Sequence, residues 1–153
     1  MKIDDIRFKE FDREVFEKSL VWLNDPEIKR LTNTPDTDLA SKEEWFDGLK
    51  ERDDYYIRAT YWGDIPIGVV GLKHINSTDA ELFLYIGEKE YWGKGIGNEM
   101  IKCVLNYGQT LGLSSLYALV LIENINSYKL FTRNGFKHEK DTDDHIILVR
   151  RYY

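Results

Sequence analysis

Residues 90 to 100, "EYWGKGIGNEM", set Gly93, Gly95 and Gly97 into five positions where an amphipathic run begins. Each glycine costs roughly 1 kcal/mol against alanine inside a helix, so this turn needs bare backbone. The stretch before it, "AELFLYI" (80–86), has the composition of a strand. From about residue 95 to 112, Ile96, Met100, Val104 and Leu111 fall along one helical stripe. Then comes "SLYALVLI", almost wholly apolar, as expected of a strand covered on both faces. Strand, glycine turn, helix and strand fix the middle of the fold, and the rest of the chain must be arranged around them.

The flanking segments supply the remainder. "KIDDIRFKEF" alternates as a first strand, and residues 12 to 23 place Val15, Phe16, Leu20 and Leu23 on one helical face. "NDPEIKRL" reads as a short second helix with Asp25 at its cap and Pro26 in its first turn. Ser41 and Glu44 in "SKEEWFDGLKERDD" form a capping box for a third. The period then falls to two: "YYIRATYW" and "IPIGVVGLKHI" flank Gly63-Asp64 as a hairpin. "NSYKLFTRNG" is a short helix stopped at Gly135, and "FKHEK" and "HIILVRRYY" form a closing hairpin around "DTDD". The order predicts an α+β fold, a mixed, mostly antiparallel sheet of about six to seven strands flanked by helices.

No repeat, low-complexity segment or linker divides the chain, so residues 1–153 read as one domain. Its longest uninterrupted apolar run, Leu116 to Ile122, is too short to span a membrane, and its first residues lack the apolar core of a secretory signal. Cys103 is the sole cysteine, which removes a disulfide framework and favours a cytoplasmic address. A net charge of −6 with scattered basic residues argues against nucleic acid and membrane partners. The histidines at 74, 138 and 145 lack metal-ligand spacing, so no metal is expected.

A tight glycine turn at a helix start leaves backbone N–H groups pointing outward, where the helix dipole adds positive charge. "WGKGIGN" therefore reads either as a pyrophosphate clamp, with Lys94 as an added charge, or as a plain strand-to-helix turn. Two phosphate signatures are excluded. The lysine sits between the glycines rather than after the last one, and the spacing G-x-G-x-G is not G-x-G-x-x-G.

"YWGKGIGNEM" resembles the acetyl-CoA motif of the GCN5-related N-acetyltransferases (GNAT), R/Q-x-x-G-x-G/A, with Trp92 at the Arg/Gln position. "ENINSYKLFTRNGF" resembles that family's second element through Asn124, Ser127, Gly135 and Phe136, and "WLNDPEI" is similar to the branch that acetylates protein N-termini and amino sugars. The resemblance covers essentially the whole chain. It implies acetyl-CoA as cosubstrate, with the pyrophosphate on Trp92, Gly93, Lys94, Gly95, Ile96, Gly97 and Asn98. It also implies the acetyl end at the backbone of Tyr85 and Ile86, and Asn124, Ser127 and Phe131 along the pantetheine arm.

Acetyl transfer to an alkylammonium requires removal of a proton before attack. Strand alternation puts Glu81 on one face with Phe83 and Tyr85, so Glu81 is either the base of a cleft or a strand-end charge reaching solvent. His74, at the end of the preceding strand, is a second candidate or a turn residue. The position from which a tyrosine protonates the leaving thiolate in the family is Phe131 here, and a phenyl ring has no proton to give. Tyr128, one helical turn earlier, either substitutes or packs on the cosubstrate. Cys103 lacks an activating partner and reads as packing.

The resemblance places the amine acceptor among the first helices and the loop before "AELFLYI". There Trp22, Trp45 and Tyr56 are core residues or stacking platforms, and Asn24, Asp25 and His74 offer polar contacts. The acceptor it favours is a nucleotide-linked amino sugar. A protein N-terminus and a non-catalytic acyl-CoA-binding module are the rival readings, and the assembly is a monomer or homodimer.

Overall fold

The computed structural model describes residues 3–153, so Lys2 of the expected first strand lies outside the described residues. Seven strands form one sheet in the order β1-β2-β3-β4-β5-β7-β6. They are β1 (Ile6–Glu10), β2 (Tyr56–Trp62), β3 (Ile65–Lys73), β4 (Asp79–Ile86), β5 (Ser115–Leu121), β6 (Lys137–Asp141) and β7 (His145–Arg151). Every pairing is antiparallel except β4 with β5, which are joined by a crossover helix. The helices are α1 (Arg13–Trp22), α2 (Pro26–Leu31), α3 (Leu39–Gly48), α4 (Ile96–Thr110) and α5 (Ile125–Arg133). This is the α+β fold with a mostly antiparallel mixed sheet that the element order requires.

Local chemistry explains most boundaries. Asp12 caps α1 by accepting from the Val15 N–H, and Asp25 caps α2 by accepting from Glu27 and Ile28 with Pro26 at the first position. The third helix starts a turn earlier than the capping box suggests: Asp38 is the cap and accepts from the Ser41 N–H, so Ser41 is already helical. Both residues are good caps, and Asp38 comes first in the chain. The first strand is shorter than its alternation, because Ile3–Asp5 form a single 3₁₀ turn.

Two apolar layers hold the sheet. On one face Ile96, Met100, Ile101 and Val104 of α4 pack on Leu72, Leu82, Leu116 and Val120. On the other, Val15, Phe16 and Trp22 of α1, with Trp45 and Phe46 of α3, pack on Ala59, Tyr61 and Val69. Leu111 falls outside the stripe assigned to it, sitting past the end of α4 and exposed. Nor is β5 covered on both faces. Leu116, Ala118 and Val120 are buried, while Tyr117 is partly open and Leu119 exposed, because the second helical layer stops short of β5.

Candidate active site

β4 and β5 pair only through Asp79↔Ser115, Ala80↔Leu116 and Glu81↔Tyr117. Beyond Glu81 each keeps its outer neighbour, β3 for β4 and β7 for β5, and the two diverge. The gap opens into a cleft of about 660 Å³. Along it, the inner edge of β4 from Leu82 to Ile86 has no strand partner among the described residues, so its main-chain polar groups remain available, apart from the Ile86 carbonyl, which a tryptophan of the next turn takes.

The glycine turn forms one end of this cleft, and its three glycines do different work. Gly93 (φ 75°) and Gly95 (φ 81°) are left-handed, which glycine adopts without steric cost. Gly95 caps α4 with no side-chain hydrogen bond, leaving the first-turn N–H groups without an intrahelical partner. Gly97 has an ordinary helical conformation. A Cβ there would stand 2.7 Å from the Leu130 side chain, so this glycine lets α5 approach α4. Trp92 ties the turn down by donating from its indole N–H to the Ile86 carbonyl at 2.9 Å. Asn134 donates from Nδ2 to Asn98 Oδ1 and to the Leu130 carbonyl, both at 2.8 Å, and so joins the two helices. Asn124 Oδ1 accepts from the Ser127 N–H at 3.2 Å and caps α5.

Glu81 forms the other end. It is 9% exposed, with Oε2 at 3.7 Å from Lys73 Nζ and Oε1 at 3.8 Å from His74 Nε2, both beyond hydrogen-bond length. Around it stands an aromatic wall: Trp45, Tyr55 and Phe83 follow one another at ring separations of 5.9 and 5.8 Å, and Tyr85 comes next along β4. Desolvation in this wall pushes the phenols of Tyr55 and Tyr85 above their ordinary value.

Over residues 6–137 the sequence matches the acetyltransferase (GNAT) domain family. The chain belongs to the GNAT family. It is 30% identical over 124 residues to an uncharacterized protein of Methanocaldococcus jannaschii, covering 79% of this chain and 26% of that protein. This GNAT chain thus spans about a quarter of that relative's length. It is also 30% identical over 130 residues to the uncharacterized N-acetyltransferase p20 of Bacillus licheniformis, covering 77% of this chain and 71% of p20. Among solved structures, the Campylobacter jejuni N-acetyltransferase PseH in complex with acetyl coenzyme A shares the fold. Its TM-score is 0.75 at 19% identity, over 97% of this chain and 99% of that one.

The GNAT cleft gathers most of the residues expected at a cosubstrate site. Tyr85, Ile86, Trp92, Gly93 and Gly95 line it, as do Ile96, Gly97 and Asn98 from α4 and Asn124, Ser127 and Phe131 from α5. Lys94 is exposed and is not part of the wall. Glu81 lines the cleft, but Tyr128 does not: its hydroxyl is 3.1 Å from His138 Nδ1, on β6. Tyr128 is instead partly buried, packed against the core and the His138 ring rather than along the cleft.

The expected acceptor residues fare less well. Trp22 is buried, donates from its indole to Glu88 and lies against Gly87, so it is a core residue and not a stacking platform. Tyr56 stacks on Tyr107 at 3.6 Å, on the α4 side of the sheet. Asp25 spends one oxygen on the α2 cap and the other on Lys89 at 3.0 Å, and the Lys89 ammonium holds its carboxyl below the usual range. Asn24 is exposed and outside the wall. His74 is also outside it, exposed, with a left-handed φ of 56°. Of that set only Trp45 lines the cleft. The wall adds Lys73, Tyr55, Lys129 and Arg133, which the sequence reading missed. The signal that could have found Lys73 is strand alternation, which puts it on the same face of β3 as Val69.

Among the described residues no group of three or more His, Cys, Asp or Glu could hold a metal, and no helix is long and apolar enough to cross a membrane.

Proposed function

We propose that this chain moves an acetyl group from acetyl-CoA to a primary amine by direct attack, and that the acceptor is a small molecule such as a nucleotide-linked amino sugar. One observation carries this reading: the nearly buried Glu81, which accepts no hydrogen bond from the described residues, shares a single cleft with a helix start that has no side-chain cap. The residues present fit acetyl-CoA. The first-turn N–H groups of α4 suit a pyrophosphate, with Lys129 and Arg133 adding charge from α5. The unpartnered edge of β4 suits an extended arm carrying amide groups, which it would pair as it would another strand.

When bound, acetyl-CoA supplies an activated acyl carbon and a thiol leaving group. Glu81 takes a proton from the acceptor's ammonium, freeing the lone pair that attacks. Main-chain N–H groups near Tyr85 and Ile86 polarise the acyl carbonyl, a contribution of roughly 3 kcal/mol per well-aimed donor. The one tyrosine of α5, Tyr128, is not among the residues lining the cleft, and a thiol is a good enough leaving group to depart as the thiolate without an acid beside it. Trp45, Tyr55 and Phe83 offer flat apolar faces for a sugar or base.

Thiol release from acetyl-CoA, screened with nucleotide amino sugars, aminoglycosides, polyamines and N-terminal peptides, tests the reading. Glu81→Gln is expected to lower kcat by about 100-fold or more while acetyl-CoA affinity holds. An undiminished rate removes Glu81 as the base.

A further inference from the structure

Lys73 ends β3 and, through the antiparallel register, stands directly opposite Glu81. Its Nζ is 3.7 Å from Glu81 Oε2 and 5.7 Å from the centre of the Phe83 ring, so the ammonium belongs to the aromatic chamber. Had it been there to fix the carboxylate, a direct hydrogen bond of about 2.8 Å would be expected. Instead both groups keep unspent hydrogen-bonding capacity, facing one space. The charge of the wall is also unusual. In a protein of net charge −6, the charged residues lining the cleft are Lys73, Lys129, Arg133 and the single carboxylate Glu81. A polyamine would bring several positive charges to one carboxylate that already has a cation beside it.

We propose that Lys73 is a specificity-determining residue, and that the acceptor is an amine bearing an anionic group, carboxylate or phosphate. The amine meets Glu81 and the anion meets Lys73, so each charge in the chamber gains a partner from the ligand. This proposal rests on the acetyl-transfer reading above. It makes an anionic group, which the nucleotide-linked example carries but a small amine in general need not, a requirement of the site, and assigns its recognition to Lys73.

The test compares kcat/KM, by thiol release, for paired acceptors: a nucleotide amino sugar against the free amino sugar, and an α-amino acid against its amide. The unaltered protein is expected to favour the anionic member of one pair by about tenfold or more, and to use spermidine less well than that member. Which pair shows the preference tells phosphate from carboxylate. Lys73→Met is expected to bring the ratio towards one, through a raised KM for the anionic member, and Lys73→Arg to keep it. The thermal shift induced by acetyl-CoA confirms that each variant is folded with its donor site intact. No preference in either pair, a preference for spermidine, or a preference that survives Lys73→Met overturns the proposal while leaving acetyl transfer standing. No release with any amine overturns acetyl transfer itself, and the role of Lys73 with it.

Discussion

Thr60 lies fully buried in β2, beside the irregularity between Thr60 and Tyr61, and its Oγ1 finds no partner among the described residues. A buried hydroxyl left unpaired is a net cost. Thr60→Val, which keeps the shape, is therefore expected to raise stability by about 1 kcal/mol, seen as a higher midpoint in urea unfolding. A lower midpoint would mean that the hydroxyl is satisfied in solution. The same residue-by-residue accounting separates what the sequence disclosed about the site from what it hid. Gly93 and Gly95 were legible because a left-handed turn leaves its mark in composition. Gly97 shares their motif but is explained by Leu130, a residue of another helix. Tyr128 and Phe131 are one turn apart on α5, and only the position of β6 decides that one meets His138 while the other lines the cleft.

At the scale of elements, the segment between β4 and α4 acts as a strap across the α1–α2 corner. Gly87 sits under the Trp22 ring, Glu88 accepts from its indole, and Lys89 bridges Asp25 and Glu27 at 3.0 and 2.9 Å. Trp92 then returns to the end of β4. The α1–α2 corner, whose Ile28 and Leu31 line the cleft, is thereby joined to the glycine turn. A Cβ at Gly87 would lie 2.1 Å from the Trp22 ring, which is buried and cannot yield cheaply. Gly87→Ala is expected to cost about 2 kcal/mol and to shift the Trp22 fluorescence, both measurable in one denaturant titration. Hairpins and caps such as Gly63-Asp64 and Asp25-Pro26 were readable because their chemistry is local. The strap was not, since it joins side chains far apart in the chain.

For the molecule as a whole, the tyrosines give stability a preferred side of the pH scale. Burial raises the phenols of Tyr55, Tyr56, Tyr61, Tyr85, Tyr117 and Tyr152 above their ordinary value, desolvation being the largest cause for each. Unfolded phenols titrate near about 10, so the folded state holds these protons more tightly. The associated stability is intact below that pH and is lost as pH rises through the folded values. The urea midpoint is therefore expected to fall between pH 9 and pH 11 (roughly one unit either side of the unfolded phenol), and Tyr85→Phe to show a shallower fall.

The parting of β4 and β5 has a consequence for inheritance. A strand edge presents the same N–H and C=O groups whatever side chains the strand carries. Substitutions at Leu84 or Ile86 that preserve the strand therefore leave those groups in place. A chain built this way is free to drift widely in sequence while keeping the surface offered to its donor, and a fold shared at 19% identity is in keeping with that freedom. Under the acetyl transfer proposed above, the burden of choosing among amines would then rest on the few side chains, Glu81 and Lys73 foremost, that the main chain cannot replace.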